Sequence, residues 1–251
     1  MNDMVPNRQS GDGVPPDIAV LLGHAVRVID ISLELDPAKF RMRTYAGFKK
    51  DMQFETEVIK DYDDGGLKQL VRGVHMRLHA GSHIDAPSHM IKGGRELQDL
   101  ELKTFIGPAV VADVRHRGGK EAIVADDLEN SLGNLIRPGD RLLLRTDLNK
   151  DYDGSPEWMA RAPYVGDDAV AWCAKHRVSI VGFDFYHANE PGPMDPENCT
   201  TRKLLQRGII TMPYLTNLWS VTKERVTLLS LPLKMKNVEA SPIRAVVLEH
   251  D

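Results

Sequence analysis

Three histidines and one aspartate fall within eleven residues of this chain, in the order His79, His83, Asp85 and His89. Neutral imidazole and carboxylate together form a donor set that suits zinc or manganese. Imidazole also titrates near neutrality, so the same stretch suits proton transfer. No single regular element explains the spacing. On one helix His79 and His83 would share a face, but Gly81, Ser82 and Pro87 oppose that helix and Asp85 would point away. On one strand all four would share a face, yet His79 and His83 would lie about 13 Å apart at ~3.3 Å per residue, too far for one ion. A bend is therefore required between them, and Gly81 is where the chain can make it. His83 and Asp85 then sit on one face of a short extended piece, and Pro87 stiffens the path to His89. The plainer alternative, a polar loop with surface histidines, leaves the agreement of donor type and bend chemistry without a cause.

The flanking segments must hold that bend. Residues 74–79 alternate apolar and polar and predict a strand feeding it, and Lys92-Gly93-Gly94 predicts a turn after it. Further strands are expected at 26–33, 105–114, 142–146, 178–183, 209–212 and 226–231. Helices are expected up to Leu132 behind an Asp126-Asp127 cap, from Asp167-Asp168 through His176, and over 200–207 before Gly208. Strands alternating with helices predict an α/β fold. Residues 1–17 read as a loose arm, so one domain is expected over 18–251. Residues 36–66 carry Phe40, Tyr45, Phe48, Phe54 and Tyr62 without clean periodicity, which fits either a surface loop or a wall of the substrate pocket. Asp184 follows a strand end, a common place for functional groups in α/β proteins, and is a candidate helper.

Composition bounds the function from outside. The chain has 251 residues, 42% hydrophobic and 27% charged, ordinary values for a soluble globular protein. A net charge of −4 gives no general attraction to nucleic acid or to an anionic membrane. No apolar run approaches the ~20 residues of a membrane span. Two cysteines, Cys173 and Cys199, do not make a disulfide framework. No basic region followed by an apolar run opens the chain, and a cytoplasmic location is expected.

The stretch from His79 to His89 resembles HxGTHxDxPxH, the signature of the cyclase family of metal-dependent hydrolases, and departs from it only at Ser82. That family includes bacterial kynurenine formamidase and isatin hydrolase. Arg145-Thr146-Asp147 matches a further strand end of the family, and Leu231-Pro232-Leu233-Lys234 with Ala240-Ser241-Pro242-Ile243-Arg244-Ala245 matches its closing pattern. The resemblance spans roughly residues 26 to 248. It implies a three-layer β/β/α sandwich of the swivelling type with a mixed sheet. It implies one divalent ion, Mn2+ or Zn2+, held by His79, His83 and Asp85, with His89 as the proton shuttle. It also implies a homodimer or higher homo-oligomer. Three departures qualify the resemblance. Asp36-Pro37-Ala38 stands where kynurenine formamidases carry Trp-Pro-Gly. Thr201 and Pro213 take the places of a late His and Glu that hold a second ion, and neither is a normal ligand. The closest arrangement is therefore the single-ion, isatin-hydrolase-like one. The expected activity is hydrolysis of a C–N or C–O bond in a small cyclic amide, formamide or lactone. Kynurenine formamidase is the alternative within the family, and a metal-binding sensor or scaffold with decayed catalysis is the alternative outside it.

Overall fold

Continuous apolar strands bounded by turns call for a sheet covered on both faces, and such a sheet forms. The structure, a computed structural model, describes residues 26–41, 52–187, 189–190, 195 and 199–250. The expected arm at 1–17 and residues 42–51 of the aromatic stretch lie outside them. In chain order the elements are β1 (Val26–Asp30), β2 (Glu55–Lys60), β3 (Val71–His75), β4 (His83–Asp85), β5 (Ile106–Asp113), β6 (Ala122–Ile123) and α1 (Ala125–Leu132). There follow β7 (Arg141–Arg145), α2 (Pro156–Ala160), β8 (Tyr164–Val165), α3 (Asp167–Lys175), β9 (Ile180–Phe183) and α4 (Thr200–Gln206). The last are β10 (Ile210–Met212), β11 (Arg225–Leu229), β12 (Ala240–Pro242) and β13 (Val246–His250).

Nine strands join in one mixed sheet in the order β1-β13-β11-β5-β7-β9-β10-β4-β12. The central strands β5, β7, β9 and β10 run parallel, and their neighbours on either side pair antiparallel. Side-chain alternation divides the sheet residues between two cores. Val110, Ala112, Leu142, Leu144, Val181 and Phe183 face the helices and meet Leu128, Leu132, Val170 and Cys173. Ala109, Leu143, Ile180 and Ile210 face the other way. There they meet Ile29, Ile84, Val226, Leu228 and Val247, which come from both ends of the same sheet. The sheet thus curls over its own second face, and helices, sheet and returning sheet make the three layers of a β/β/α sandwich. Isolated antiparallel bridges, Ser32 to Leu215 and Pro232 to Ile243, join the two ends.

Local chemistry departs from the simple strand reading around the site. Of the strand expected at 74–79 only Val74 and His75 are extended, as the end of β3, which among the described residues pairs with β2 alone. His79 lies instead in a turn closed by Ala80 N donating to Arg77 O at 3.1 Å. The turn wins over the apolar alternation because Gly81 follows at φ +59°, a left-handed conformation that ends any extended run. A Cβ on Gly81 would also come within 2.7 Å of the Leu35 side chain. Helix α1 starts at Ala125, and Asp127 caps it from inside by accepting Val124 N at 2.8 Å.

Candidate metal centre

Three elements far apart in sequence build the site around β4. Asp85 ends that strand and sits opposite Thr211 of β10 on one side and Ala240 of β12 on the other. Asp85 is buried, and its Oδ2 accepts the Thr211 hydroxyl at 2.8 Å. His83 starts the strand and is also buried. Its Nδ1 lies 2.7 Å from the Gly81 carbonyl, which can only accept, so Nδ1 carries a proton and Nε2 is the nitrogen turned toward Asp85. Ser82 fixes the bend between His79 and His83 by accepting Leu33 N at 2.8 Å and donating to Tyr214 O at 2.6 Å. Serine keeps the hydroxyl that this position needs. Beyond Asp85, Pro87 opens a single 3₁₀ turn, Pro87–His89, in which His89 N donates to Ala86 O at 2.9 Å. Gly94 lets the following turn lie against this one, since a Cβ there would come within 2.9 Å of the Pro87 and Ile91 backbones.

The four expected side chains converge. His79 Nδ1 lies 2.8 Å from Asp85 Oδ1, and His83 Nε2 lies 3.2 Å from the same oxygen. The His79 ring packs 4.4 Å from that of His89 and 5.1 Å from that of His83, centroid to centroid. Among the described residues, His79, Asp85 and His89 each offer a ligand atom, and these atoms lie within 4.8 Å of one another. His89, expected as a shuttle, therefore stands at ligand distance, whereas His83, expected as a ligand, is not in that group and meets the centre through its Nε2, 3.2 Å from Asp85 Oδ1. The donor chemistry fits a divalent cation. The His83 Nε2 lies 3.2 Å from an Asp85 oxygen, a nitrogen–oxygen pair at a spacing that suits ligation of one divalent cation.

Charge at the site is uneven. Burial alone would lower the pKa of His79, but hydrogen bonds to Asp85 and Glu239 more than reverse this and raise it to about 9. Burial pushes the Asp85 carboxyl up, yet the His83 and His89 charges and the His79 hydrogen bond hold it well below the usual carboxylate range. His89 is open to solvent on its outer side. Loss of water on its inner side lowers its pKa, Asp85 opposes this, and charge on His79 and His83 lowers it further. Glu239 was missed in the sequence. It meets His79 Nε2 at 3.1 Å, and that hydrogen bond holds its carboxyl below the ordinary range. No local motif marks it, because it lies 160 residues from its partner.

Other candidates fall elsewhere. Asp184 is fully buried and accepts Thr146 N, Thr146 Oγ1 and Asp147 N, so it clasps the end of β7 to β9. Burial pushes its carboxyl up to about 7, against those hydrogen bonds. Thr201 is bound through its N and Oγ1 to Asn189 Oδ1 at 2.8 and 3.0 Å. Of the early aromatics, Phe40 and Phe54 join a cluster with Ala80, Trp158 and Tyr214. Tyr214 stacks on Trp158 at 6.4 Å and reaches the His83 ring at 6.2 Å, which brings this aromatic wall to the site. Tyr62 is exposed, and Tyr45 and Phe48 lie outside the described residues.

Comparison with known proteins gives the family and the fold. The Cyclase family model matches residues 29–189. Kynurenine formamidase of Bacillus mycoides (strain KBAB4) is 28% identical over 220 residues, 87% of this chain and 96% of its own length. Kynurenine formamidase of Salinibacter ruber (strain DSM 13855 / M31) is 29% identical over 222 residues, 88% of this chain and 96% of its own. An isatin hydrolase bound to the product analogue thioisatinate superposes with a TM-score of 0.80 at 24% identity, covering 94% of this chain and 97% of that one. Isatin hydrolase A from Ralstonia solanacearum gives a TM-score of 0.79 at 23% identity, covering 96% and 98%. These two share the fold. The family match takes in the whole histidine stretch and well over half of the sequence, and the chain belongs to the Cyclase family.

Proposed function

We propose that the protein is a metal-dependent hydrolase that cleaves a C–N or C–O bond in a small cyclic amide, formamide or lactone, in the manner of an isatin hydrolase. The observation that carries this reading is the meeting of His79 Nδ1 and His83 Nε2 on one oxygen of Asp85, beside the ring of His89. A divalent ion held there, Mn2+ or Zn2+, supplies Lewis-acid activation of water and of the substrate carbonyl. His79, His83 and Asp85 hold and orient it. His89, exposed and beyond Pro87, accepts a proton from the attacking water and returns it to the leaving nitrogen or oxygen. Tyr214 and Trp158 close the His83 side of the site against solvent. A homodimer or higher assembly and a single domain over 18–251 belong to the same reading. The continuous nine-stranded sheet supports the latter, and the apolar side chains left open on the β2–β3 hairpin support the former.

The test is hydrolysis of isatin, N-formylkynurenine and simple lactones by protein loaded with manganese or with zinc. Turnover of at least one, abolished by a chelator and restored by metal, is expected. His83→Ala should lose bound metal and turnover together, measured by elemental analysis and assay on the same sample. Kynurenine formamidase is favoured if N-formylkynurenine is the preferred substrate. A second reading, a metal-binding sensor or scaffold, draws on Thr201 and Pro213 in place of the late His and Glu. A filled site with no turnover across a broad panel would establish it over the hydrolase.

A further inference from the structure

Glu239 immediately precedes β12, and its position is fixed by backbone contacts to the strand that carries Asp85. Its carbonyl accepts Ala86 N at 2.8 Å, and the next residue, Ala240, stands opposite Asp85 in the sheet. From there its carboxylate reaches His79 Nε2 at 3.1 Å, while the other ring nitrogen, Nδ1, faces Asp85 Oδ1 at 2.8 Å. The other two groups at the centre have equivalent outer partners. His83 donates its Nδ1 proton to the Gly81 carbonyl, and Asp85 accepts the Thr211 hydroxyl. A ligating imidazole nearly always gives its second N–H to an acceptor, which fixes both its tautomer and its orientation. For His79 the acceptor at Nε2 is a side chain, the Glu239 carboxylate. Two carboxylates, Asp85 and Glu239, also match the charge of one divalent cation.

We infer, granting the metal site proposed above, that Glu239 is the positioning residue of His79: it accepts the Nε2 proton and leaves Nδ1 to face the ion. Glu239 touches neither substrate nor the reacting atoms in this role. Its removal should weaken the ion's hold without changing the fold, because the side chain is part-exposed and its own backbone contacts persist.

The test is zinc affinity of the full-length protein, measured by competition with a chromophoric chelator for wild type, Glu239→Gln and Glu239→Ala. The expected loss is ~10–100-fold for the alanine variant and smaller for glutamine, whose carbonyl can still accept. Thermal melting of the metal-free proteins should be alike. Long-range ¹⁵N–¹H spectra of the zinc-loaded wild type should show His79 protonated at Nε2. Wild-type affinity in both variants, or a His79 proton on Nδ1, would overturn the inference and leave the metal site standing. No zinc binding by the wild type would overturn the metal site and this role together.

Discussion

His89 carries the sharpest residue-scale prediction. His89→Ala should lose ~10²–10⁴ in turnover, the worth of a positioned acid–base group, with bound metal nearly unchanged. Its place among ligand-distance atoms makes the metal measurement decisive: loss of the ion along with activity would make His89 a ligand. Near-normal kcat with full metal would end the shuttle role. The grouping of His79, His83, Asp85 and His89 was legible in sequence, because they share one short stretch and their types agree with its bend. Glu239 and Thr211 were not, since each reaches the centre through sheet pairing across more than a hundred residues. Asp184 shows the opposite error. A strand end in an α/β protein suggests chemistry, but here the carboxylate satisfies backbone N–H groups that the strand end leaves unpaired.

At the scale of elements, helix α1 offers a pH test. Burial would raise the Asp127 pKa, but the Arg117 guanidinium, the Val124 N–H and His116 together hold it below its ordinary 3.8. A carboxyl depressed in the folded state stabilises above its unfolded pKa, and that contribution disappears as pH falls through the folded one. Asp127→Ala should therefore cost about 1–2 kcal/mol near neutral pH, the worth of a lost helix cap, and the gap to wild type should close in strong acid. Urea unfolding at pH 7 and at successively lower pH checks this; a gap independent of pH would refute it. Most central strands and helices were readable within a few residues, because continuous apolar runs and acidic helix starts report buried parallel strands and their crossovers. The hairpin β2–β3 was not readable. Its strands present exposed residues on both faces, so no burial periodicity marks them.

For the whole molecule, the same hairpin leaves Val58, Ile59 and Val74 open to solvent, and an isolated two-stranded hairpin is marginally stable in water. The protein should sediment as a dimer or larger at micromolar concentration; a monomer throughout would remove oligomerisation from the proposed function. The β/β/α layering came from family resemblance, because α/β alternation alone does not say that a sheet curls back on itself. Strand β4 has three residues and is flanked by β10 and β12, both made more than a hundred residues later. The histidine stretch thus leaves the ribosome long before the strands that hold it. On the proposed metal site, capture of the ion would be a closing event of folding, and a nascent chain arrested before residue 239 should carry all four motif residues and still fail to retain added zinc.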